Sequence, residues 1–399
     1  MNMEMAKIIF WVSIGAVVYT YVGYPILVDL ASRIRRRAHT APRGDSDGLP
    51  SLTVIIPAHN EERWIARKIE NTLALDYPRD RMKILVASDG STDKTVEIAR
   101  QYAGEGVELA AFLKRAGKTA ALNRAVALAQ GEILVITDAN ALLEPSALQR
   151  MIPHFSDPSV GGVAGNRACV GTGSSSTEGE GLYWRYETWM KRSESRLYSC
   201  LGAYGQIFAV RRELFPYVPA VSDDFTIPMK ILVSTSSRIV FEPGVIARIP
   251  AARTLRQEWE RKIRSHVALL YDSAHLKAGL NPLKSRIWWE FWSHHLLRLA
   301  VPWAMLAALA ASPWLWHAGA AYRALILCEI LFYLAAGAGW TLTVLGRRKN
   351  VLYACFYFVF SNAAIIPAWL RWVARNDPYA WQRTERAVPT LPSTGKSET

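Results

Sequence analysis

Acidic residues stand where short apolar runs end. Glu61 follows Leu52–Ile56 and the bridge Pro57-Ala58-His59-Asn60. Asp89 follows Lys83–Ala87, and Asp138 closes Ile133–Ile136. An open α/β sheet takes its ligands just outside the carboxyl ends of its strands. Three such ends suit a nucleotide: Glu61 and Asp89 on base and ribose, and Lys118, preceded by Gly117, on diphosphate oxygens as a point charge. Asp138 with Asn140 two residues on offers oxygen ligands for a hard divalent cation. Each residue also has a plainer reading, the acids as helix caps or turn residues and Lys118 as a solvated charge. No Gly-x-Gly-x-x-Gly or Gly-x-x-x-x-Gly-Lys-Ser/Thr occurs, which disfavours a dinucleotide oxidoreductase or a P-loop ATPase. Without a glycine cradle, the cation at Asp138 is what would neutralise the phosphates.

Asp223 and Asp224 form a second acidic site. Adjacent carboxylates raise one another's pKa, which suits a general base, but the pair equally suits the acidic first turn of a helix over Ile227–Val233. Tyr183, Trp184, Tyr186 and Trp189 recur through Glu180–Glu194, as packing or as a helix near the membrane lining an acceptor groove. Arg253–Arg264 carries five cations, Arg261 and Arg264 among them, for phosphate oxygens or anionic lipid.

The elements that must position these residues alternate short strands with helices of ten to fifteen residues, the pattern of βαβ units and a mostly parallel sheet. The helices expected are about Glu61–Leu75, Ser91–Arg100 and Lys118–Gln130. Further strands are expected at Gly161–Gly165, before Arg211, and at Ser237–Phe241, ended by Glu242 and Pro243. Gly171–Gly181 reads as a mobile loop.

Around this soluble part lie apolar stretches: Ile8–Leu30, Leu299–Trp316, Ala321–Leu345 and Val351–Leu370. The chain has 399 residues, 51% of them hydrophobic, and a net charge of +13. Many cations sit just beyond apolar stretches, so the charge points to a membrane and an anionic substrate; no nucleic-acid recognition motif is present. The expected organisation is a transmembrane helix over 1–32, a basic linker over 33–50, a cytoplasmic α/β domain over 51–265, interfacial helices over 266–298, membrane segments over 299–370 and a basic, partly disordered tail over 371–399. By the positive-inside rule, Arg33, Arg35, Arg36 and Arg37 place the expected N-terminus outside and the following domain in the cytoplasm. The parity of the last segment stays open: Asn362 and Pro367 allow a break, and Arg371, Arg375, Arg383 and Arg386 favour the cytoplasm. Cys169, Cys200, Cys328 and Cys355 form no close pair, so no zinc site or disulfide framework is signalled.

Taken in order, Pro57-Ala58-His59-Asn60-Glu61, Ser88-Asp89-Gly90-Ser91-Thr92-Asp93, Gly117-Lys118-Thr119, Asp138-Ala139-Asn140, Gly205–Arg212 and Asp223-Asp224 resemble the membrane-anchored, inverting glycosyltransferases of family 2 with a GT-A-type fold. That family includes cellulose, chitin and hyaluronan synthases and bacterial exopolysaccharide enzymes. The resemblance implies nucleotide contacts at Ala58, Glu61, Asp89 and Lys118, and Mg²⁺ or Mn²⁺ with the diphosphate at Asp138. It further implies Asp224 as general base beside Asp223, and an acceptor-side segment with Gly205, Gln206 and Arg211. The expected donor is a UDP-sugar, and the acceptor a polysaccharide, an oligosaccharide or a lipid-linked sugar. Two departures stand out. Asn140 replaces the second acid of Asp-x-Asp, and Gln257-Glu258-Trp259-Glu260-Arg261 is not the Gln-x-x-Arg-Trp of processive synthases. The second weakens the case for a long-chain synthase. A non-catalytic partner in polysaccharide export is the reading from another class, and retention of Asp89, Asp138 and Asp224 argues against it.

Overall fold

The computed structural model describes residues 1–35, 48–170, 177–218, 222–250, 254–283, 285–347 and 350–374. Arg36 and Arg37, the first part of the glycine-rich loop (171–176), Arg253, Lys284, Arg348, Lys349 and the tail from Arg375 onward, with Arg383 and Arg386, lie outside them.

Among the described residues, one eight-stranded sheet organises the part between the apolar stretches. Its strands are β1 (Leu52–Ala58), β2 (Met82–Asp89), β3 (Val107–Phe112), β4 (Ile133–Ile136), β5 (Leu142–Leu143), β6 (Val160–Val170), β7 (Phe208–Arg211) and β8 (Arg238–Pro250), in the spatial order β3-β2-β1-β4-β7-β6-β8-β5. β3, β2, β1 and β4 run parallel, and β6 is parallel to β8. β7 is antiparallel to β4 and β6, and β5 to β8. The unbroken apolar run of β4 reflects burial on both faces. Ile133 and Val135 join one core cluster, Leu134 and Ile136 the other. Gly131 lets β4 begin against β1: a Cβ there would lie 2.4 Å from the backbone of Leu52 and Thr53.

Three sequence expectations are corrected. The first helix starts at Ile65, not at Glu61, because β1 continues to Ala58 and Asn60 adopts φ 55° in the turn that follows. β8 does not stop at Glu242 and Pro243; its pairing with β6 shifts register after Ala164 and resumes at Asn166–Ile246, so an irregularity absorbs the proline. Thr177–Gly181 belongs to the helix Thr177–Leu197 rather than to a loop.

Among the described residues, four helical stretches are long and apolar enough to cross a bilayer: Met3–Ile34, Trp288–Leu315, Ala320–Val344 and Val351–Val373. Residues 288–298 do not form a helix of their own. A π-helical turn, Phe291–Leu296, carries Trp288–Glu290 directly into Leu297–Leu315. The last stretch changes helix at Ala364, and Asn362 is buried there, accepting from Tyr21 Oη (2.8 Å) and donating to Phe358 O (2.9 Å).

The helix Thr177–Leu197 joins the sheet domain to these stretches. Glu194 accepts from Tyr24 Oη (2.6 Å) and meets His294 Nδ1 (2.7 Å). Glu187 meets Arg298 (2.7 Å); burial pushes its carboxyl up, and Arg298 and His294 outweigh that and hold it well below the carboxylate range. Asp29, buried near the end of the first apolar stretch, is matched by Trp189 Nε1, Ser193 Oγ and Arg33. A membrane-facing helix tolerates charge only when partners of this kind are supplied.

Candidate active site

The loops after β1 and β2 are laced together. Asn60 N–H donates to Ser91 Oγ (3.1 Å), Thr92 N–H to Asn60 Oδ1 (2.8 Å), and Glu61 N–H to Thr95 Oγ1 (2.7 Å). Ala58 ends β1, and Glu61 is buried in this lacing. Asp89, also buried, accepts from the backbone N–H groups of Ala116 (2.8 Å) and Gly117 (2.7 Å). It thereby fixes the turn that launches the helix Lys118–Leu128.

Lys118 is the centre of the site. Its ammonium lies 2.7 Å from Asp138 Oδ1 and 3.0 Å from Asp223 Oδ2. Burial works against that charge, and the two carboxylates more than offset it, raising the lysine pKa. Gln206 Nε2 donates to the other oxygen of Asp138 (3.3 Å). Asp224, half-buried, accepts from Gly205 N–H (3.2 Å) and from Ser222 Oγ (2.6 Å). A Cβ on Gly205 would sit 3.2 Å from the Lys118 ammonium and 3.5 Å from Asp224, so glycine sets this spacing. Both aspartates occupy the first turn of the helix Asp223–Ser234, where the backbone dipole favours negative charge. Asp223 itself is pushed up to about 6 by burial, with Lys118 opposing and Asp224 and Asp138 adding. Asp138, Lys118, Gln206, Gly205, Asp223 and Asp224 thus share one site, and Asp89 supports it through the loop before Lys118.

No group of three His, Cys, Asp or Glu residues with metal-ligand placement occurs among the described residues. The donors that remain are Asp138 and Asn140, and Asn140 Oδ1 is buried with no hydrogen-bond partner. An orphaned amide oxygen two residues from a carboxylate fits a Mg²⁺- or Mn²⁺-like cation that draws its other ligands from water and phosphate. Beneath this turn lies Lys68, fully buried. It donates to Thr137 Oγ1 (2.8 Å) and Ala141 O (2.6 Å), while Thr137 Oγ1 donates to Gln206 O (2.8 Å). Burial drags the Lys68 pKa down to about 7, against the pull of Asp138.

Trp184 packs at a tilt of 43° against Tyr204, the residue before Gly205, with ring centroids 4.7 Å apart, and the Arg167 guanidinium lies 4.3 Å over the Trp184 ring. Arg211 is not at this site. β7 runs antiparallel to β4, so Arg211 pairs with Ile133, at the far end from Asp138, and donates to Phe155 O and Val160 O. The acceptor-side expectation for Arg211 is therefore corrected. Arg261 is held by Glu258 on its own helix (2.6 Å), and Arg264 lies in the fields of Glu260 and Arg371. That helix, Leu255–His275, packs on Ala364, Ile365 and Ala368 of the last apolar stretch.

Ser222, Lys68, Thr137, Tyr204 and Arg167 were not singled out from sequence. Lys68 carried a signal: with Ile65, Ile69, Thr72 and Leu73 it lies on the buried stripe of its helix, where a lysine needs a reason.

Residues 53–217 match the family model described as Glycosyl transferase family 2. The β-monoglucosyldiacylglycerol synthase of Nostoc sp. is 30% identical over 164 residues, 40% of this chain and 34% of that protein. The chain thus spans about a third of that relative's length. The probable glycosyltransferase YdaM of Bacillus subtilis is 23% identical over 351 residues, 80% of this chain and 81% of its own. Among solved structures, the mannosyltransferase PcManGT from Pyrobaculum calidifontis, in complex with GDP-Man and Mn²⁺, superposes with a TM-score of 0.69 at 25% identity, covering 94% of this chain and 100% of that one. Residues 53–217 thus match the family 2 model, and the sheet has a GT-A-like fold, with helices of membrane-spanning length beside it.

Proposed function

We propose that this protein is an inverting sugar transferase of the membrane, moving a sugar from a nucleoside-diphosphate donor to a saccharide-bearing acceptor. The observation that carries the reading is the cluster in which Lys118 bridges Asp138 and Asp223 while Gly205 N–H rests on Asp224. It sets groups suited to a diphosphate beside a carboxylate suited to a hydroxyl proton. Glu61 and Asp89 hold the nucleoside end. Lys118 exchanges carboxylate oxygens for those of the departing diphosphate. Asp224 takes the proton of the acceptor hydroxyl as that oxygen bonds to the anomeric carbon and the carbon–phosphate oxygen bond breaks on the opposite face. Asp138 and Asn140 are the residues that would hold Mg²⁺ or Mn²⁺, whose charge would stabilise the leaving group.

UDP-sugars are the favoured donors, and the GDP-Man of the solved relative makes GDP-sugars the second class to test. The acceptor is a growing polysaccharide or oligosaccharide. A lipid-linked acceptor is the second reading, favoured because Trp184 sits on the helix that is bonded through Glu187 and Glu194 to apolar helices. Arg33 and Arg35 at the end of the first apolar helix support a cytoplasmic catalytic domain.

The test is a panel of UDP- and GDP-sugars offered to the purified, detergent-held protein with Mn²⁺ or Mg²⁺, read by nucleotide release and product mass. One donor is expected to stand out, and Asp138→Ala is expected to lose metal-dependent nucleotide binding. Absence of release from every donor, or an unchanged metal titration in Asp138→Ala, overturns the corresponding assignment.

A further inference from the structure

An open groove of about 1030 Å³ lies where three segments meet: the end of the first apolar helix, the end of the helix Thr177–Leu197, and the approach to Trp288. Two guanidinium groups, Arg35 and Arg286, line it and are exposed. Neither forms an ion pair among the described residues, and Arg286 lies 5.8 Å over the Tyr198 ring. Glu290 also lines the groove, 3% exposed and without an ion pair among the described residues. The rim is apolar and open, with Ile34 86% and Leu283 94% exposed. Ile34 continues a stripe of exposed Ile26, Leu27 and Leu30 on the first apolar helix, so the groove opens onto a surface fit for acyl chains.

Two cations and one buried carboxylate at the border of an apolar face match a zwitterion better than a simple anion. A phosphate diester suits the two guanidinium groups, which present paired N–H donors. Glu290 suits a primary ammonium, and Trp288 and Trp289 suit the interfacial depth of a head group. We propose that this groove binds an ethanolamine-type glycerophospholipid from the leaflet beside the catalytic domain, its phosphate on Arg35 and Arg286 and its ammonium on Glu290. The site is separate from the sugar-transfer cluster, and its occupancy is read without donor, so failure of either proposal leaves the other standing.

The full chain, purified in mild detergent, is analysed by native mass spectrometry. It is then placed in phosphatidylcholine nanodiscs containing phosphatidylethanolamine, phosphatidylglycerol or diacylglycerol as competitor. The unmodified protein is expected to retain the ethanolamine lipid over the glycerol head group, and to ignore diacylglycerol, which has no phosphate. Arg35→Ala combined with Arg286→Ala should cut retention by roughly tenfold or more. Glu290→Gln should keep phospholipid binding and lose the head-group preference. Equal retention of all competitors by the unmodified protein overturns the proposal, as does unchanged retention in the double variant. Should a variant fail to fold, judged by thermal unfolding, the competition on the unmodified protein decides alone.

Discussion

The strand-end cluster around Lys118 and the membrane junction around Glu194 use the same side-chain types, and they differ in what surrounds them. Lys118 and Asp138 keep 16% and 24% of their side-chain surface exposed. At the junction the side chains of His294 and Glu194 keep 4% and 0%. Both clusters balance acids against bases. An ion pair that still touches solvent can trade partners with an incoming phosphate. One sealed on all sides cannot, and breaking it strands a charge in a poor dielectric. The contrast separates charges kept for exchange from charges kept for holding a helix in place.

The sharpest way to test that contrast is to remove one group from each side. Asp224→Asn should lower kcat by roughly 10²–10⁴-fold with donor binding retained, because only the proton acceptor is lost. Single-turnover nucleotide release measures this, and turnover comparable to wild type removes Asp224 from the base role. Glu194→Ala should instead cost about 3–5 kcal/mol of stability, since His294 and Tyr24 lose a buried partner. Thermal unfolding in detergent reads it, and a shift no larger than that of an exposed glutamate would erase the contrast.

Lys68→Met probes the border between the two kinds of cluster. Thr137 Oγ1 and Ala141 O would lose their buried donor, at about 1–3 kcal/mol. Beyond that stability loss, the metal concentration needed for donor binding should rise, because the turn carrying Asp138 and Asn140 loosens. An unchanged metal titration would leave Lys68 a purely structural group.

Asp223→Asn should give the smallest effect, and its sign is informative. The folded protein holds the Asp223 proton up to about 6, above the ordinary value of 3.8. The stability from that shift is present below the ordinary range and is lost as pH rises through about 6. The asparagine variant, which does not ionise, should therefore gain most in melting temperature over wild type above that pH and least in acid. A gain that is flat across pH would deny the buried charge.

Much of the parallel half was legible because its physics is local. An apolar run buried on both faces, closed by Asp89 or Asp138, carries its position in its own residues. The antiparallel additions were harder. β7 reads as a strand, but its direction is set by β4, and that direction sends Arg211 to the wrong end for chemistry. β8 hides its length behind Pro243, since only the shifted pairing with β6 shows how the strand continues. The stretch from Trp288 to Arg298 has the composition of a surface helix; burial of Phe291 and His294 against distant segments accompanies its continuation into the apolar helix Leu297–Leu315. The Lys118 bridge was invisible in the chain, because Asp138 and Asp223 are 85 residues apart (223 − 138) and meet only through the fold.

The first apolar helix ends at Ile34, and the next candidate span begins only at Trp288. Yet Ala6 and Phe10 pack against Ala308, Ala311 and Leu315. During synthesis the early helix must therefore wait in the bilayer, its partner surface uncovered, while the whole sheet domain emerges. At about 5–20 residues per second that interval lasts on the order of 15–50 seconds. The sheet domain thus has time to fold before the apolar helices are all made, and the late helices dock onto one already resident in lipid.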